Sequence, residues 1–143
     1  MFLTPYITAD SARHAPVTLL PLVDLGDGSL KAVDVEVHPP HPATPNPADL
    51  LGMAVQSARP VLDRGAFICL PLPAATLADR RQILGLAAKA QSMGIGTRNL
   101  CLFFPDGHCR DLGMTGVEGF IALKRLGFLL GIDVGCLGAM PSL

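Results

Sequence analysis

The chain has 143 residues, half of them hydrophobic, which is enough for one domain with a real core. Its net charge of −1, with no basic run, excludes the cationic footprint that nucleic-acid binding needs. No stretch approaches the ~18 uninterrupted apolar residues of a membrane-spanning helix, because Pro71 and Pro73 break the most apolar run and Lys124 and Arg125 break the C-terminal one.

Residues 1–15 show no clear period and read as an N-terminal arm, whose Phe2, Leu3, Tyr6 and Ile7 could cover apolar surface. The arm lacks the basic start of a signal peptide, so the expected location is cytoplasmic. Residues 17–25 read as a strand, and Gly26-Asp27-Gly28-Ser29 is turn chemistry, because glycine tolerates positive φ. Asp24 and Asp27 belong to that turn rather than to an acid/base pair. Residues 30–37 return as a second strand, with Val33, Val35 and Val37 on one face and Asp34, Glu36 and then His38 on the other. Residues 38–47 are proline-rich and irregular.

Asn46-Pro47-Ala48-Asp49 starts a helix, with a cap, a first-turn proline and an acid near the positive end of the dipole. Leu50, Leu51, Ala54, Val55 and Ala58 form its apolar face, and Pro60 is expected to end it. Residues 67–72 read as a short buried strand. Thr76-Leu77-Ala78-Asp79 is expected to start a second helix, with Leu77, Leu84, Ala87 and Ala88 on one face and Gly94 closing it. Gly94-Ile95-Gly96 follows a helix, so it reads as a stop and not as a phosphate loop. Residues 99–104 read as a strand. Thr115-Gly116-Val117-Glu118 is a capping box opening a third helix, with Val117, Phe120 and Ile121 as its apolar stripe. Gly127 ends it, and residues 128–133 are the next strand. A hairpin followed by alternating helix and strand predicts an α/β protein with a largely parallel sheet, part of a β/α barrel. Cys69, Cys101, Cys109 and Cys136 make no C-x-x-C pair and read as free, mostly buried thiols.

Five segments stand at strand ends in a telling order. They are Leu19-Leu20-Pro21-Leu22-Val23-Asp24-Leu25; Val33-Asp34-Val35-Glu36-Val37-His38 with His41-Pro42 behind it; Cys69-Leu70-Pro71-Leu72; Leu100-Cys101-Leu102-Phe103-Phe104-Pro105-Asp106; and Leu126-Gly127 leading to Ile132-Asp133. Their order and spacing resemble the EAL family of cyclic-di-GMP phosphodiesterases over roughly residues 17–138. The resemblance implies a partial, modified (β/α) barrel of EAL type that opens with an antiparallel β-hairpin. It divides the chain into the arm, 1–15, and a truncated EAL-like domain, 16–143, whose C-terminal strands and helices are missing.

Carried over residue by residue, the family's signature glutamate falls on Asp34, with Val35 and Glu36 at its alanine and leucine. The nucleotide-contacting arginine falls on His38 and the metal-binding asparagine on Pro71. The glutamate of the next metal motif falls on Asp106. The paired aspartates fall on Asp133 and Val134, and the glycine-rich sequence after them is loosely matched by residues 135–138. The segment between His41-Pro42 and Phe67 is short by about a helix, and the family's lysine and later acids would fall beyond Leu143. Two-metal hydrolysis needs several fixed oxygen ligands and a route to activate water. Pro71 and Val134 have no side-chain oxygen, and Asp34 and Asp106 are each one methylene shorter than glutamate. No catalytic residue and no cofactor are therefore expected.

Asp34, Asp106 and Asp133 leave two readings open, a weak Mg²⁺ or Ca²⁺ site and three solvated acids; the missing ligands favour the second. His38 and His41 form H-x-x-H in a loop without a further zinc ligand in sight. Barrel orientation is expected to turn Phe67, Cys69, Leu102, Phe104 and Leu129 inward, onto a face that this chain does not close. The expected function is that of a catalytically inactive regulatory or scaffolding module, working through a protein partner or a homo-oligomer. The alternative is a residual cyclic-di-GMP receptor, with affinity expected to be weak or absent, and an active phosphodiesterase comes third.

Overall fold

The computed structural model describes residues 17–37 and 46–134. The expected arm, His38, His41, Cys136 and the glycine-rich stretch at 135–138 lie outside the described residues. Within them, local turn chemistry sets the first two strands. The Asp24 carboxylate accepts a hydrogen bond from the Gly26 N–H at 2.6 Å, and Asp27 accepts from the Ser29 N–H at 2.8 Å. Gly28 supplies φ 73°. Strands β1 (Val17–Val23) and β2 (Leu30–Val37) then pair antiparallel, with Leu20 opposite Asp34 and Thr18 opposite Glu36. The alternation read in β2 sets the faces: Val33 and Val35 are buried against helices, and Asp34 points the other way.

Asn46 caps α1 (Pro47–Leu62), its side chain accepting from the Asp49 N–H at 2.9 Å. Pro60 does not end this helix; it lies exposed inside the last turns, and Leu62 adds a buried residue beyond it. Strand β3 (Phe67–Pro71) pairs parallel with β2. A 3₁₀ turn (Ala74–Ala78) follows, and only then α2 (Arg80–Ser92). Thr76 therefore does not start the helix. Asp79 does, accepting from the N–H groups of Arg81 and Gln82 at 3.0 and 3.3 Å. The later start turns the helix, so that Ile83, Leu86 and Ala90 are buried and Leu84 faces out.

Strand β4 (Leu100–Pro105) leads into two helices, α3 (Asp106–Leu112) and α4 (Met114–Arg125). The sequence pattern gave no sign of α3. In α4 the expected capping box makes no side-chain hydrogen bond, and the buried face is Gly116, Gly119 and Leu123. Val117 and Ile121, expected in the core, are about half exposed. Gly119 is the reason: its α-carbon lies against the Leu77 carbonyl, where a side chain would overlap backbone. Close approach of α4 to the 3₁₀ turn thus selects a glycine face, against the apparent stripe. Phe120 does pack inward, edge to face on Phe104 with centroids 5.4 Å apart.

Strand β5 (Leu129–Asp133) completes a five-stranded sheet in the order β1-β2-β3-β4-β5, parallel from β2 onward. The main core joins one face of this sheet to α1, α2 and α4. The result is a mixed α/β partial barrel, opened by an antiparallel hairpin as expected.

Candidate functional site

Parallel register decides what the other face presents. Asp34, Cys69, Cys101 and Leu129 lie side by side across β2 to β5. Pro71, Phe103 and Gly131 form the next row, and Pro105 pairs with Asp133 above it. Phe67, Cys69 and Leu129 share this inner face, as expected. Leu102 and Phe104 do not: both are fully buried on the helix side. Cys101 and Phe103 stand in their places, packing with Ala32, Cys69 and Phe67. A one-residue error in phase exchanges every side chain of a strand between faces. The ring of Phe103 lies directly over the Gly131 α-carbon, where a side chain would collide with it.

Toward the carboxyl ends of the strands this face opens into a cleft of about 580 Å³. Residues of all five strands line it, among them Leu22, Asp34, Glu36, Cys69, Pro71, Phe103 and Asp133, with Val134 just beyond β5. The structure thus brings together Asp34, Asp133, Pro71 and Val134 of the positions singled out in sequence. It adds Glu36, whose parity with Asp34 in β2 was the available signal. It sets Asp106 apart. That residue heads α3 and is paired with Arg110 at 2.9 Å instead of lining the cleft.

The carboxylates that share the cleft act on Asp34. Burial, and then the charges of Glu36 and Asp133, push the Asp34 carboxyl above the usual carboxylate range. No lysine or arginine is among the described residues lining the cleft. On its floor the Cys69 thiol donates to Cys101, which raises the Cys69 thiol above its ordinary range and lowers Cys101. Both cysteines are free and buried.

The described residues do not fit a two-metal centre. Pro71 and Val134 bring no side-chain oxygen, and Asp106 is held elsewhere. Among the described residues, no group of three His, Cys, Asp or Glu side chains is placed to hold a metal ion. None of their helices is long and apolar enough to cross a membrane.

No protein-family model matches the sequence, and no curated protein matches it. Solved structures do match. The EAL enzyme Bd1971, in its cAMP- and cyclic-di-GMP-bound form, superposes with a TM-score of 0.69 at 13% identity, covering 91% of this chain and 44% of that one. The EAL domain of Mycobacterium smegmatis DcpA gives 0.65 at 17% identity, over 82% of this chain and 52% of that one. The PaMucR phosphodiesterase, in complex with cyclic di-GMP, gives 0.69 at 17% identity, over 94% and 63%. The chain spans about half the length of these structures. Its fold is that of part of an EAL domain.

Proposed function

We propose that the chain is a catalytically inactive EAL-like module that acts through protein contacts in cyclic-di-GMP-related signalling. One observation carries this reading: at the positions that match the family's metal ligands, the oxygen donors among the described residues are too few. The positions that match the family's metal asparagine and second aspartate are Pro71 and Val134, and Asp106 is engaged with Arg110. Stabilising an in-line displacement with two ions requires ligands fixed around both. Removing members of such a unit does not merely trim the rate. The contacts are assigned to the inner face, where Leu129 is 43% exposed and the outer edge of β5 is unpaired among the described residues. To test inactivity, purified protein is incubated with cyclic di-GMP and Mg²⁺ or Mn²⁺ and linear product is followed. The expected result is no product above the protein-free control. Turnover that scales with protein and disappears in Asp133→Ala would overturn the reading.

The cleft and the cyclic-di-GMP complexes of Bd1971 and PaMucR keep a receptor role as the second reading. Its electrostatics oppose tight binding. Two phosphates entering the cleft would meet Asp34, Glu36 and Asp133 and no described cation. Calorimetric titration at neutral pH, with and without Mg²⁺, is expected to show weak binding or none. Submicromolar affinity would make the receptor reading the leading one.

A further inference from the structure

A second apolar surface lies on the opposite side of the sheet. Helices α2 and α4 each return the chain between parallel strands, so they run side by side in the same direction. Between them is a groove of about 510 Å³. Leu77, Ile83, Gly119 and Ala122 contribute to its lining, with Leu84 on the α2 side and Ile121 on the α4 side. Leu84 is 52% exposed and Ile121 46%, with Val117 one turn earlier on α4 at 47%. These are the residues whose spacing reads as core in the sequence. Here they form an apolar stripe with no protein against it among the described residues.

Of the charged side chains among the described residues lining the groove, two are arginines. Arg80, the first residue of α2, and Arg125, the last of α4, both line it. Neither has an ion-pair partner among the described residues. Glu118 is the one acid among the described residues lining the groove. At 1.5 Å per residue, the 12 residues of α4 span about 18 Å, or some three helical turns.

We infer that the groove between α2 and α4 docks an acidic amphipathic helix of a partner protein, its apolar stripe on Leu84 and Ile121 and its acids at Arg80 and Arg125. Helices laid in grooves are read through anchors at i, i+3, i+4 and i+7, and complementary charge fixes their register. Charge also argues against three segments of this sequence as the occupant. Residues 1–16 carry one acid, Asp10, beside Arg13, and residues 38–45 and 135–143 carry none. A second copy placed by two-fold symmetry would bring the same two arginines to the contact. The inference does not rest on the inactivity of the cleft.

The test uses the full chain and a labelled synthetic helical peptide of about 15 residues, with leucines along one stripe and glutamates flanking it. A counterpart carries lysines in place of the glutamates. In fluorescence anisotropy at low salt the acidic peptide is expected to bind at least ~10-fold more tightly, and the gap is expected to shrink at high salt. Ile121→Asp should lower its affinity at least ~10-fold while circular dichroism stays unchanged. Leu84→Gln is the second variant should Ile121→Asp unfold. The double variant Arg80→Glu, Arg125→Glu should reverse the preference toward the lysine peptide. Equal binding of the two peptides, or affinity indifferent to both apolar variants, overturns the inference. So does either of two other outcomes: a dimer by light scattering that Ile121→Asp dissociates, or acidic-peptide binding that appears only when residues 1–16 are deleted.

Discussion

At Gly119 a single missing side chain decides the position of a helix. Glycine inside a helix ordinarily costs about 0.5–1 kcal/mol relative to alanine. Here a β-carbon would overlap the Leu77 carbonyl, and backbone cannot swing aside as a side chain can. Gly119→Ala is therefore expected to destabilise by about 1–3 kcal/mol in urea denaturation. Gly107→Ala in α3 is the control. A β-carbon there meets nothing within 4 Å, so the substitution should be neutral or stabilising by up to ~1 kcal/mol. Asp34 offers a test of the cleft's electrostatics. Its carboxyl is raised above the ordinary 3.8 by burial, Glu36 and Asp133. As pH rises, the unfolded chain loses this proton first, so stability falls through the carboxylate range and stays lower at neutral pH. Asp34→Asn should raise the Tm at pH 7, and the difference should close as pH falls below about 4. An identical Tm difference at both pH values would show that packing, not charge, is responsible.

Helix starts were legible where a cap has no rival and ambiguous where it has one. Asn46 followed by Pro47 admits one reading, and α1 begins there. Thr76 and Asp79 compete three residues apart. The chain uses Asp79 because the 3₁₀ turn first buries Ala74, Thr76 and Leu77. The same displacement turns Leu84 outward and leaves the Thr76 hydroxyl buried without a hydrogen-bond partner among the described residues. Periodicity alone could not reveal this, because it reports spacing and not the phase fixed by the turn. The two positions should respond oppositely. Asp79→Ala is expected to cost about 1 kcal/mol through loss of the cap. Thr76→Val removes an unsatisfied hydroxyl at nearly constant shape and should be neutral or slightly stabilising. A large loss at Thr76 with none at Asp79 would mean that the helix begins where the sequence alone places it.

For the whole molecule, the order of a hairpin followed by α/β units was readable because turn residues and caps punctuate it. The two faces of the sheet were readable only in part. In β2, valines alternate with acids, and parity follows at once. In β4, Leu100, Cys101, Leu102, Phe103 and Phe104 are all apolar, so alternation is silent and only pairing with β3 and packing on α4 fix the phase. The difference separates folding from association. Phe104 is fully buried between sheet and α4, so Phe104→Ala is expected to cost about 3–5 kcal/mol and to compromise the fold itself. Leu129 lies on the inner face of edge strand β5 and is 43% exposed, so Leu129→Asp should leave the fold intact. If the inner face carries protein contacts, burying a few hundred Å² of apolar surface at ~25 cal/mol per Å² is a gross gain of several kcal/mol, opposed by association entropy. The full chain should then self-associate in light scattering, or bind its partner, and Leu129→Asp should abolish this while circular dichroism remains that of the parent. A full chain that is a well-folded monomer, and stays one in Leu129→Asp, would remove self-association through this face and leave the contact to a different protein.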